Sequence, residues 1–420
     1  MADPLLIAGI AIACFVAYNI GGATTGPAFG PAVGANVLSK TAAGGLMALA
    51  FFGGAYTIGR RVVDTLGQEL VHDPSIFTLE ASIVVLFFIG GALLVGNLSG
   101  APASTSMTAV GAIVGLGLAT GELNLAVVGE ILAWWILSPI IGFWLAVMIG
   151  RYGYDALDRL IAIEQSEGPL LVFEQVEVGV RPVVRPDEFN VVGLEPTSMK
   201  LRPALGPNTT RRELVGTGVL VVIGLLMAFS SGTSNIANAI APLVGSGALG
   251  MDVGIVIGCA AVAVGALTIA RRTMETLGND ITDLPLTAAI VVALLSSTII
   301  VILSALGIPA SFVVVATVCI IGLGWGRSTH GVSVADAVRG RVTPEPSVGA
   351  LADEGEAPTV GTVDPRSAPP RQAQGNATQP ARSDLFDPGT SVRVILMQNV
   401  VPILATGGSY VTFLLLPIGG

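Results

Sequence analysis

Residues 19–34 read N-I-G-G-A-T-T-G-P-A-F-G-P-A-V-G, and they interrupt an otherwise apolar N-terminal run with five glycines, two prolines, an asparagine and two threonines. A second stretch, 231–245, reads S-G-T-S-N-I-A-N-A-I-A-P-L-V-G and looks like a worn copy of the first. A shift of 211 positions aligns Gly21 with Gly232, Pro31 with Pro242 and Val33-Gly34 with Val244-Gly245. The same shift aligns R-R-V-V-D-T-L-G (60–67) with R-R-T-M-E-T-L-G (271–278). A shift of 207 then aligns A-S-I-V-V (81–85) with A-A-I-V-V (288–292), and G-A-P-A-S (100–104) with G-I-P-A-S (307–311). Four matches in order, with one short deletion, identify an internal duplication.

The surroundings of the two copies are those of a membrane. The 420-residue chain is 52% hydrophobic and 12% charged, with a mean hydropathy of +0.78. Soluble domains carry about 25% charged residues, so this composition points to an all-α polytopic membrane protein. Apolar segments lie at 5–20, 41–58, 76–98, 103–120 and 124–149, and again at 213–230, 251–270, 282–306, 309–325 and 394–417. If 19–36 and 231–247 enter the membrane as broken, re-entrant helices, each copy crosses five times. An odd number makes the two copies inverted repeats.

Arg151, Arg211 and Arg212 flank one long loop, and Arg327 and Arg393 flank the other. The positive-inside rule places both loops in the cytoplasm, hence both termini outside, in a multi-pass protein of the plasma membrane. The expected organisation is a first repeat over 1–150, a cytoplasmic loop over 151–212, a second repeat over 213–326, a linker over 327–392 and a last helix over 393–420. Loop 151–212 contains a β-rich stretch at 170–184, which suggests a small β-containing module. Residues 341–390, rich in Pro, Gly, Ala, Ser and acids, read as disordered linker.

The function classes narrow accordingly. The net charge is −9 and no basic patch suggests nucleic acid. Cys14, Cys259 and Cys319 sit in apolar runs without metal or disulfide spacing, and His72 and His330 are isolated. Nothing indicates an enzyme or a cofactor. Irregular backbone at membrane depth belongs where it lines a cavity, and inverted repeats with interrupted helices are the layout of secondary transporters. Both Pro-then-Ser turns open an apolar helix, which puts hydroxyls beside unpaired N–H groups. The candidate substrate-binding residues are therefore Thr24, Thr25, Ser104, Thr105, Ser106, Ser234, Asn235, Asn238 and Ser311. No Lys or Arg lies within these motifs, so an anion there is held by hydroxyls, amides and helix dipoles. Glu80 and Glu130 fall at or inside apolar segments and are candidates for a proton relay.

These motifs resemble the inorganic phosphate transporter family over nearly all the membrane part of the chain. That family repeats a G-A-N-D-V-A-N signature with an F-G-T-x-V-G tail, and a later G-x-P-x-S-T-T-H motif. Here the signatures stand as G-G-A-T-T-G-P (21–27) and G-T-S-N-I-A-N (232–238), and the later motif as P-A-S-T-S-M (102–107) and P-A-S-F-V-V (309–314). The resemblance implies a homodimeric, ion-coupled symporter in the lipid bilayer, with phosphate between the signatures and the Ser/Thr turns. The signature aspartate, which the family uses for cation binding, is Thr24 in one copy and Asn235 in the other. The first copy is also similar to the sulfate permease branch, which is proton-coupled. Phosphate and a proton-coupled sulfate uptake both stand as readings, with a non-transporting receptor or a channel of the same fold as weaker ones. The coupling ion, H+ or Na+, stays open, as does any metal.

Overall fold

The computed structural model describes residues 3–34, 38–98, 104–161, 171–177, 180–184, 192–196, 199–205, 211–269, 286–328 and 388–416. The copied sequences at 100–103 and 271–278, and the 329–387 part of the expected linker, lie outside the described residues. Ten helices carry the described membrane part. The first five are α1 (Pro4–Gly34), α2 (Lys40–Glu69), α3 (Leu79–Leu98), α4 (Thr105–Thr120) and α5 (Leu125–Arg159). The second five are α6 (Arg211–Gly245), α7 (Met251–Thr268), α8 (Leu286–Ala305), α9 (Phe312–Ser328) and α10 (Pro388–Leu415).

The duplication seen in the sequence is repeated in the element boundaries. Gly34 and Gly245 end α1 and α6, while Lys40 and Met251 open α2 and α7, both pairs 211 residues apart. Leu79 and Leu286 open α3 and α8, and Thr105 and Phe312 open α4 and α9, both pairs 207 apart.

Packing is reciprocal between the copies. Helix α1 packs on α7 as α2 packs on α6, and α4 packs on α10 as α9 packs on α5. Four glycines explain how closely the first pairs approach. A β-carbon at Gly21 would overlap the Val262 carbonyl, and one at Gly265 the Tyr18 carbonyl. The equivalent positions repeat this: Gly232 faces the Phe51 carbonyl and Gly54 the Phe229 carbonyl. In lipid there is no hydrophobic drive between helices, so this backbone-to-backbone contact is what small residues contribute.

The structure differs from the expected re-entrant breaks. Residues 19–34 complete a continuous 31-residue helix, and 231–245 complete one of 35 residues. At about 1.5 Å per residue these helices are roughly 47 and 52 Å long, more than the ~30 Å hydrocarbon core. The polar side chains close the local hydrogen bonding rather than opening it: Thr24 Oγ1 donates to the Ile20 carbonyl and Thr25 Oγ1 to the Gly21 carbonyl. Proline costs a helix one N–H, and neighbouring helices can re-satisfy the freed groups at membrane depth.

Among the described residues, six helices are long and apolar enough to cross a membrane: Pro4–Gly26, Lys40–Glu69, Leu125–Arg159, Gly218–Gly245, Met251–Thr268 and Thr287–Ala305. Leu79–Val95, Thr105–Thr120 and Phe312–Arg327 are shorter apolar helices. Outward-facing Leu49, Phe87, Leu132, Ile136, Trp144 and Ile403 give the bundle an apolar exterior, suited to acyl chains. Phe29, Met47, Phe51, Leu66, Leu86 and Ile113 are fully buried between the helices.

Two strands fall within the expected β-rich stretch 170–184, β1 (Leu171–Glu177) and β2 (Val180–Val184), and two more follow it in the same loop: β3 (Val192–Pro196), which pairs antiparallel with β2, and β4 (Met199–Leu205), which pairs antiparallel with β1. The two pairs share one register, from Leu171 opposite Leu205 to Val184 opposite Val192.

Candidate functional site

A cavity of about 110 Å³ lies where the two copies meet. Helix α1 contributes Asn19, Ala23, Thr24 and Ala28 to its wall, and α6 contributes Met227, Ser231 and Asn235. The N-terminus of α4 adds Ser104 and Thr105, the start of α9 adds Ser311, Phe312 and Val313, and Leu93 closes one side from α3. Two pairs of repeat-equivalent positions therefore face the same space: Thr24 with Asn235, and Ser104 with Ser311.

Local chemistry sets each side chain. Ser104 is the N-cap of α4, in extended conformation, and its Oγ accepts from the Met107 N–H at 3.3 Å. The unpaired N–H groups of the first turn, together with those of α9, put two positive helix ends at the cavity. Thr105 Oγ1 donates to Asn235 Oδ1 at 2.7 Å, which ties the turn of one copy to the signature helix of the other. Asn235 Nδ2 in turn donates to Ser231 Oγ at 2.9 Å.

Behind the wall, a second set of groups holds the start of α9 in place. The Ala310 carbonyl accepts from Ser106 Oγ at 3.1 Å and from Ser234 Oγ at 3.0 Å, and the Ala310 N–H donates to Ser234 Oγ at 3.2 Å. Trp135 Nε1 donates to the Pro309 carbonyl at 2.7 Å. Asn238, fully buried, donates from Nδ2 to Asn235 Oδ1 at 3.2 Å. Among the described residues its own Oδ1 has no partner, as is true of the buried Ser230 and Ser297 hydroxyls.

Among the described residues, the wall contains no ionisable side chain. Its polar atoms are hydroxyls, amides and helix-terminal N–H groups. Such a lining has the chemistry to hold a small anion through dipoles and hydrogen bonds alone. Among the described residues, no group of three or more His, Cys, Asp or Glu side chains is placed to hold a metal ion.

Of the residues expected from sequence, Thr24, Ser104, Thr105, Asn235 and Ser311 line the cavity. Ser106, Ser234 and Asn238 lie buried behind it, as supports. Thr25 is buried and bonded to the Gly21 carbonyl, away from the lining. Glu80 and Glu130 are exposed on α3 and α5, Glu80 in the first turn of its helix, and neither is among the residues that line the cavity. Asn19 and Ser231 were missed. Met227, Ser231 and Asn235 follow one another at four-residue steps, a helical face hidden while 231–245 was read as broken.

Comparison with known proteins agrees with this picture. A family model described as the phosphate transporter family matches residues 20–343. The sulfate permease CysP of Bacillus subtilis (strain 168) is 29% identical, over 77% of this chain and 78% of its own. A Pyrococcus furiosus protein named "Putative phosphate permease" is 26% identical, over 84% of this chain and 95% of its own. A solved structure titled "The sodium-dependent phosphate transporter" superposes with a TM-score of 0.60 at 16% identity, covering 99% of this chain and 100% of that one. At that identity the likeness speaks to the fold.

Proposed function

The chain belongs to the phosphate transporter family, and from that premise we propose that it is a secondary-active transporter moving inorganic phosphate across the plasma membrane. The observation that carries this reading is the neutral cavity between the copies, where two helix N-termini and hydroxyls from both copies converge. A tetrahedral oxyanion bound there sits among donors, without a fixed cation to trap it. Thr24, Ser104, Thr105, Asn235 and Ser311 contact it in this account, while Ser106, Ser234 and Asn238 position those groups. Thr25 belongs to the supporting helix turn.

Five helices per copy, crossing an odd number of times, give inverted halves that can expose the cavity to either side in turn. The long loops are cytoplasmic, both termini are outside, and two chains form a homodimer. Uptake is driven by a proton or sodium gradient. Sulfate is the second reading, favoured by one observation: no side chain lining the cavity can accept a proton as a carboxylate would. A relative named as a sulfate permease points the same way.

The test is uptake of labelled phosphate and labelled sulfate into proteoliposomes under imposed proton or sodium gradients. Saturable, gradient-dependent phosphate uptake is expected, and it also excludes a channel or a non-transporting receptor. Absence of saturable uptake of either anion overturns the proposal.

A further inference from the structure

The turn between α8 and α9 is fastened more heavily than its own shape requires. Gly307, at φ +82°, closes α8: its N–H donates to the Ser304 carbonyl at 3.0 Å, and the Ile308 N–H donates to the Leu303 carbonyl at 2.9 Å. A helix end closed by glycine in this way already satisfies its last carbonyls. The first copy nevertheless grips the turn at successive positions. An Arg61 N–H donates to the Ala305 carbonyl, Trp135 Nε1 to the Pro309 carbonyl and Ser106 Oγ to the Ala310 carbonyl. Between them, a β-carbon placed on Gly307 would lie 3.9 Å from Thr65 Cβ and 2.7 Å from Thr65 Oγ1. Arg61 and Thr65 belong to α2, Ser106 to α4 and Trp135 to α5. Ser234, on α6, adds two bonds to Ala310 from the turn's own copy. The duplication does not repeat these hydroxyls. The positions it pairs with Ser106 and Ser234 are Val313 and Ala23, and both line the cavity.

We infer that the α8–α9 turn is a fixed post, docked on α2 throughout the transport cycle, so that the cavity changes its access by movement of other parts of its wall. This rests on the transporter reading above. Ala310, Ser106 and Ser234 are almost fully buried. Pulling the turn away from α4 and α6 strands a carbonyl and two hydroxyls where no water replaces the lost partners, and each stranded group costs free energy. At Gly307 the fit depends on the missing side chain, and a contact that close leaves no slack for sliding. Arg61, Thr65 and Trp135 are positioning residues in this account, because they act on Ser311 and the start of α9 through the backbone of 305–310. Val313 and Ala23 cannot repeat the hydroxyl bonds for the other copy, so the two copies play unequal parts.

The experiment joins the turn to α2 covalently. The Cβ separation at Thr65 and Gly307 falls in the range of about 3.5–4.5 Å that a disulfide spans. The Thr65→Cys, Gly307→Cys double variant is oxidised in proteoliposomes, and labelled phosphate uptake is measured before and after reduction, with each single variant as control. Cross-linking and equal uptake by the oxidised and reduced protein are expected. Failure of the pair to cross-link, or uptake lost on oxidation and regained on reduction, overturns the inference. Should the cysteine at Gly307 disable even the reduced protein, hydrogen exchange of the wild type decides. The Gly307, Ile308 and Ala310 amides are expected to exchange equally with and without an imposed phosphate gradient, and faster exchange under the gradient overturns the post. Absence of saturable uptake by the wild type overturns the transporter reading instead, a distinct outcome.

Discussion

Asn235 is the residue on which both halves of the cavity lean. It is more than nine-tenths buried, accepts from Thr105 and Asn238, and donates to Ser231. The sequence resemblance places an aspartate at this position in related chains, so the neutral amide changes the electrostatics of the whole pocket. Two unit charges ~5 Å apart repel by about 3 kcal/mol at an effective dielectric of 20. Asn235→Asp is therefore expected to raise the KM for phosphate at least tenfold in sodium-free proteoliposomes at neutral pH. Burial disfavours the ionised form of a carboxyl, so the variant should recover as pH falls while the wild type changes less. An unchanged KM would place the anion elsewhere. Much of the cavity lining was legible: Thr24 and Asn235, and Ser104 and Ser311, stand out as pairs because a duplication marks corresponding positions twice. Asn19 and Ser231 were not, because their repeat equivalents, Ser230 and Ile20, do not share the wall with them.

At the scale of elements, the glycines carry a meaning different from the one their number suggests. In a soluble sequence, five glycines and two prolines within sixteen residues punctuate the chain. Here they lie in long unbroken helices, and Gly21, Gly232, Gly54 and Gly265 each admit the backbone of the other copy. Membrane context, which local propensity does not see, decided against the break. Gly232→Ala and Gly21→Ala should each force α2 or α7 outward and cost about 1–3 kcal/mol, read as a lower Tm in detergent. Gly129 in α5, where a β-carbon meets nothing within 4 Å, is the control. Gly129→Ala should leave the Tm unchanged or raise it, since alanine is favoured in a helix by up to about 1 kcal/mol. Equal losses at Gly129 and Gly232 would show that glycine packing between the copies is not what holds them.

Among the described residues, the membrane part is two five-helix copies that exchange partners, and the candidate site lies where they meet. Neither copy alone builds the pocket: Thr105 of the first needs Asn235 of the second, and the start of α9 in the second is tied to Ser106 of the first. The repeat boundaries were visible in the sequence as two offsets, but the exchange of partners was not, since nothing local records which helix packs on which. In the proposed function this shared pocket holds the oxyanion. Equilibrium binding of labelled phosphate to the purified protein tests it most directly, comparing wild type with the Ser104→Ala, Asn235→Ala double variant, which removes one lining group from each copy. The account predicts saturable binding by the wild type and affinity at least tenfold weaker in a double variant that still elutes as folded protein. Binding of equal strength in the two proteins would contradict it.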